Sequence, residues 1–217
     1  MWPRQTTEDL GRLIIAGGKP HRWPIPGAQR CVIEAFDIDD DAGLAAVLIT
    51  TLPRRAPATT HQETYEHDAE RGWIAAGGGS LTPADRPTAS TRPSMAHSGP
   101  AALINASGAS GGRSYLERLR LREAGHEHVN PGTINWICSC EINVAVEVDH
   151  ILFSGRRIEV PVHGRCVAVW KSPALTPFTR PVRPHIAAAD HNGRILTELG
   201  PYDYLDTFTQ AVLDELT

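Results

Sequence analysis

Trp136-Ile-Cys-Ser-Cys-Glu-Ile-Asn-Val-Ala-Val-Glu-Val-Asp149 is the stretch on which the fold class turns. Trp136, Cys138, Cys140, Ile142, Val144, Val146 and Val148 alternate with Ile137, Ser139, Glu141, Asn143, Ala145, Glu147 and Asp149. Successive side chains of a strand point to opposite faces, so this pattern predicts one long strand, or two joined at a bend, with the first set buried. Beyond it, Ser154-Gly155 turns the chain into Arg157-Ile-Glu-Val-Pro-Val, and His163-Gly164 turns it again into Cys166-Val-Ala-Val-Trp170. Turns this short imply a three-strand meander. Pro161 lacks an N–H and places an unpaired stretch or a bulge in the middle strand.

Strand signals continue in both directions. Cys31–Ile38 and Leu44–Leu52 are β-rich runs around the acidic turn Asp39-Asp-Asp-Ala-Gly43, which reads as a hairpin. His61–Trp73 puts His61, Glu63, Tyr65 and His67 on one strand face; the same residues form helical i,i+4 pairs, and the strand is preferred. Asn192-Gly193, between His185–Ala189 and Ile195–Leu199, signals a further hairpin, because both residue types tolerate positive φ. Arg118, Arg120 and Arg122 alternate with leucines and read as a strand with one basic side. Residues 77–113 are rich in Gly, Ser, Thr, Pro and Ala and read as a long loop. Short helices are expected at 6–16, with Leu10, Leu13 and Ile14 as its apolar stripe, and at 203–216. Many short strands without βαβ alternation imply a mainly β fold, a two-layer antiparallel β-sandwich or open barrel with short N- and C-terminal helices. The whole of 1–217 is expected as a single domain.

With 217 residues the chain buries an adequate core without metals or disulfides. Its 19 Gly and 17 Pro favour turns over long helices. The net charge of -4 is spread evenly, so neither half is a nucleic-acid face by charge alone. Residues 1–10 lack the apolar run and small-residue site of a secretory signal, and no run of about 18 apolar residues occurs. A cytoplasmic location without membrane contact follows as the expectation, with Cys31, Cys138, Cys140 and Cys166 as thiols. Cys138 and Cys140 sit at i and i+2 and read as small core residues.

Three groups of side chains are candidates for chemistry or recognition. Asp37, Asp39 and Asp41 have the alternate spacing of a cation-binding turn, but Ala42 and Leu48 stand where an EF-hand loop needs Gly and a bidentate Glu. His61, Glu63 and His67, with His126 and His128, are residue types that hold a divalent metal. Trp23, in a run of three prolines, and Arg118, Arg120 and Arg122 are candidates for partner contact. Gly108-Ala-Ser110-Gly-Gly112 has the glycine flanks of a nucleophile turn, without a histidine in catalytic context. No paired carboxylates, phosphate-cradling loop or dinucleotide fingerprint accompany these groups.

The sequence therefore points first to a non-catalytic protein-binding or assembly module, with a protein partner or self-association and no cofactor. A metal-dependent enzyme using His61–Asp68 and a virion or particle subunit are the alternatives.

Overall fold

A computed structural model describes residues 7–18, 28–53, 55, 57–81, 92–126, 128, 133–173, 183–201 and 203. Trp23, the proline-rich run around it and the helix expected at 203–216, apart from Asp203, lie outside these residues. The fold is mainly β, with several antiparallel sheets and few short helices. The chain divides into two compact units. The first takes Met1–Arg86, Ser110–Ser139 and Val169–Pro181; the second takes Pro87–Ala109, Cys140–Ala168 and Val182–Thr217.

In the first unit, β1 (Ala28–Asp39), β2 (Leu44–Pro53), β3 (Thr59–Asp68) and β4 (Gly72–Leu81) form one antiparallel sheet in chain order. The acidic hairpin forms as its sequence implies. His61–Trp73 resolves into most of β3, a tight turn and the start of β4. That turn is built by Asp68, whose Oδ1 accepts from the N–H groups of Glu70 and Arg71, both at 3.1 Å.

The two faces of this sheet differ in chemistry. On one, Ala45, Val47, Ile49 and Tyr65 receive helix α1 (Thr7–Ile15) through Leu10 and Ile15, with Ile14 packed alongside. Gly11 lies against the Tyr65 hydroxyl, where any Cβ would collide, and that hydroxyl donates to the Glu8 carbonyl at 3.0 Å. The buried positions of α1 are Leu10, Gly11 and Ile15, so the stripe includes a glycine that hydrophobicity alone does not mark.

The opposite face is also buried, and there Leu44, Ala46 and Leu48 of β2 sit among polar side chains. Thr50 and Thr60 share a hydrogen bond of 2.9 Å, and the Gln62 Nε2 donates to Ser139 Oγ at 2.6 Å. A bulge between Ile33 and Ala35 reverses the alternation of β1, so Asp37 opposes Ala46 and joins this face.

Residues 77–113 are not one loop. Gly77–Leu81 completes β4, a short helix α2 (Met95–Ser98) and a 3₁₀ turn (Pro100–Ala102) follow, and Ile104–Arg113 is strand β5. The run expected as a basic strand is instead helix α3 (Tyr115–Glu123). β5, β6 (Trp136–Val144) and β9 (Arg165–Ser172) form a sheet in the order β5-β6-β9, and the division between units falls inside all three strands.

β6 departs from the expected burial. Ile137, Ser139 and Glu141 are as buried as Cys138, Cys140 and Ile142, while Val146, expected inside, is 50% exposed beyond the strand's end. The polar residues of the alternation meet polar protein instead of water: Ser139 takes Gln62, and Glu141 takes the Arg165 Nη2 at 2.6 Å and the Asn143 Nδ2 at 2.9 Å.

The second unit holds a sheet of order β11-β10-β7-β8, from β7 (His150–Phe153), β8 (Arg156–Glu159), β10 (Ile186–Ala189) and β11 (Ile195–Leu199). Ser154-Gly155 makes the expected turn between β7 and β8, both residues at positive φ. The meander stops there. β8 ends at Glu159, two residues before Pro161, and β9 belongs to the other sheet, so a proline that cannot extend the ladder coincides with the change of sheet. The β10–β11 hairpin forms as expected. The four cysteines form no disulfide, and all but Cys31 are buried.

Candidate functional site

The histidines and carboxylates proposed for a metal are held apart by the elements that carry them. His61, Glu63 and His67 lie on β3, where six residues of strand separate the first and last by about 20 Å. His61 is half-buried, with Nε2 3.5 Å from Thr51 Oγ1, and burial lowers its pKa. Glu63 accepts from Thr7 Oγ1 at 2.9 Å, and its carboxylate occupies the space a Cβ at Gly78 would need. Burial raises its pKa, the Thr7 hydrogen bond opposes that, and the neighbouring Glu8 adds to it. His67 is exposed and meets the Trp73 ring edge-on, with centroids 5.0 Å apart. His126 and His128 are exposed beyond the end of α3. Among the described residues, no three His, Cys, Asp or Glu side chains form a group able to hold an ion.

The three aspartates of the acidic hairpin also diverge. Asp37 is buried, and its Oδ2 accepts from the Val169 N–H at 2.9 Å. Asp39 Oδ1 caps its own turn by accepting from the Ala42 N–H at 3.1 Å, and Asp41 faces solvent. Ser110 lies within β5.

The most developed polar assembly of the first unit surrounds α3, which sequence alternation concealed. Ser114 is its N-cap: Oγ accepts from the Glu117 N–H at 3.1 Å and donates to Glu66 Oε1 at 2.5 Å. Glu66 Oε2 accepts from the N–H groups of Tyr115 (2.7 Å) and Leu116 (3.2 Å). A buried carboxylate thus satisfies the exposed donors at the start of a helix, where the macrodipole also favours negative charge. Ser114-Tyr-Leu-Glu117 is the Ser-x-x-Glu signature of such a start and was available in the sequence. Here Glu117 does not reach back to Ser114. It takes Asn135 N (2.9 Å), Asn135 Nδ2 (2.7 Å) and Lys171 Nζ (2.6 Å), while the Ser114 N–H donates to the Asn135 carbonyl. Burial alone would raise the Glu117 pKa, but these partners outweigh it and hold the carboxyl below its usual range.

The helical spacing of α3 sorts the three arginines. Leu116, Arg120 and Glu123 share a side: Leu116 is buried, Arg120 reaches Asp68 at 3.4 Å and Glu123 takes Arg71 at 2.7 Å. Glu117 occupies a second side, toward Asn135 and Lys171. Tyr115, Arg118 and Arg122, at i, i+3 and i+7, form the remaining side and are exposed. Arg118 lies over the Tyr115 ring with 5.9 Å between guanidinium carbon and ring centroid.

In the second unit, Arg92 joins three backbone segments. Its guanidinium donates to the carbonyls of Ala145 (2.5 Å), Val148 (3.1 Å), Val144 (3.3 Å) and Val162 (3.4 Å). Gly164, at φ 76°, leaves the space that this side chain fills. The Val146 N–H donates to the Pro93 carbonyl at 2.9 Å, and the Met95 N–H donates to Glu147 Oε1 at 2.9 Å. The large apolar side chains carried by these segments stand in solvent: Met95 is 46% exposed, Val146 50% and Val162 77%.

No family model, curated protein or solved structure matches this chain. Among the described residues, no helix is long and apolar enough to cross a membrane.

Proposed function

We propose that this protein is a non-catalytic binding or assembly module that docks a protein surface, a partner's or that of another copy, through the apolar side chains gathered around Arg92. The observation that carries this reading is the placement of Met95, Val146 and Val162. Three exposed apolar side chains rise from backbone segments that one guanidinium ties together. Isolated exposed apolar residues are ordinary, but a group of them on a fixed backbone has the character of a docking surface and loses little entropy on binding. A non-catalytic role for the first unit draws support from its carboxylates, since Asp37, Glu66 and Glu117 are each engaged in holding backbone or helix ends.

Light scattering after size exclusion, on the natural chain and on Val162→Asp, tests the reading. A mass above the monomer for the natural chain, returning to the monomer in Val162→Asp, is the expected result. A defined particle of many copies would place the chain among structural subunits. An oligomer unchanged by Val162→Asp would remove this surface from consideration.

A further inference from the structure

The α3 helix of the first unit presents a second recognition surface of different chemistry. Its charges balance locally almost to completion. Asp68 stands opposite Arg120, Glu123 opposite Arg71, and Glu117 opposite Lys171. Arg118 and Arg122 remain without a carboxylate partner among the described residues, and they share the outward side with Tyr115. That side is held in place from beneath, because Glu66 and Ser114 fix the first turn of the helix and Leu116 is buried.

We propose that the outward side of α3 binds an acidic segment of a protein partner, with Arg118 and Arg122 as carboxylate receptors and Tyr115 as the apolar contact between chains. Two features select this occupant. Arg presents a planar fork that binds a carboxylate through two parallel hydrogen bonds, and Arg118 already lies over the Tyr115 ring, with 5.9 Å from guanidinium carbon to centroid. Positions four apart on a helix rise about 6 Å. Two carboxylates at alternate positions of an extended segment are about 6.7 Å apart, so Asp or Glu at i and i+2 reaches both guanidinia. A nucleic acid is the less suitable polyanion, since its charge continues beyond the helix and meets a chain with 25 acidic against 21 basic residues. A short acidic segment confines its charge to the two arginines, within about one Debye length. Tyr and Arg are also the residue types over-represented where interfaces concentrate their binding energy.

This inference rests on the chain being a protein-binding module, but it uses a separate surface and fails separately. The test is fluorescence anisotropy of a labelled twelve-residue peptide alternating Glu and Thr. A Lys/Thr peptide and a twelve-nucleotide thymidine strand are the comparison probes. The natural chain is expected to bind the Glu peptide in preference to both. Arg118→Glu/Arg122→Glu should lower that affinity about tenfold or more, and Tyr115→Ala should lower it by a smaller factor. Val162→Asp should leave it unchanged. Circular dichroism melts on each variant separate loss of binding from loss of fold. No binding by the natural chain, tighter binding of the thymidine strand, or equal affinity in the doubly reversed chain would overturn the inference. If only Val162→Asp abolished peptide binding, the α3 surface would fall while the binding-module reading stood.

Discussion

Glu63 lies between Val47 of β2 and Gly78 of β4, with the first residue of α1 hydrogen-bonded to it, and its environment works against its charge. Burial raises its pKa above the ordinary 4.5, and Glu8 adds like-charge repulsion. A raised folded-state value contributes stability that is fully present below the unfolded value and is lost as pH rises through the folded one. Above its raised pKa the ionised Glu63 is therefore a liability. Glu63→Gln keeps an oxygen for Thr7 and removes the charge, so it should stabilise the protein at pH 7 by about 0.5 kcal/mol, small because the carboxylate retains part of its hydration. The gain should shrink on acidification toward pH 4. Urea midpoints at both pH values check this, and an unchanged or lower midpoint at pH 7 would count against it. Glu117 and Asp68 act in the opposite sense. Their folded-state values are lowered, so their contribution is present above the unfolded value and is lost as pH falls through the folded one. None of this was legible in the residues alone. The sequence shows that His61, Glu63 and His67 are residue types that bind metals, but whether they converge depends on strand spacing and on the helix that docks over them.

At the scale of the element, location was more legible than internal construction. Asn192-Gly193 marks the β10–β11 hairpin correctly, yet the turn is built mainly by Asp190. Its Oδ1 accepts from the Asn192 and Arg194 N–H groups at 2.9 and 3.0 Å, and only Gly193 takes positive φ, at 79°. Gly193→Ala should therefore cost about 1 kcal/mol, the penalty of a Cβ in the left-handed region, while Asn192→Ala should cost much less. Thermal denaturation of the two variants decides whether the pair acts together or the glycine alone carries the turn. The α3 helix shows the opposite case. Alternating Arg and Leu imitates period two over the five residues Arg118–Arg122, and the start signal at Ser114–Glu117 competes with it. The helix prevails because Glu66, far away in sequence, satisfies its first N–H groups. In β6, alternation gave the strand correctly but misassigned one face to solvent, because a polar strand face can pack against polar protein as readily as against water.

Across the whole molecule, the β-rich class was legible from turn density and strand patterning. Each compact unit is assembled from three separate segments, and β5, β6 and β9 each contribute to both. Residues 1–86 carry the entire four-stranded sheet and α1, yet lack Ser114, Ser139 and Val169, the partners of Glu66, Gln62 and Asp37. Expressed alone, that segment should not fold, because its buried polar side chains would lose the groups that satisfy them. Dispersed amide resonances from residues 1–86 in isolation would refute this.

The hydrogen bond from Val169 to Asp37 spans 132 positions and sets an order of events during synthesis. A ribosome adding about 5–20 residues per second leaves Asp37 waiting on the order of ten seconds for its partner. For that interval the emerging chain carries the strands of its first sheet without the groups that complete them. Completion of the first sheet's buried face is thus tied to the arrival of late residues.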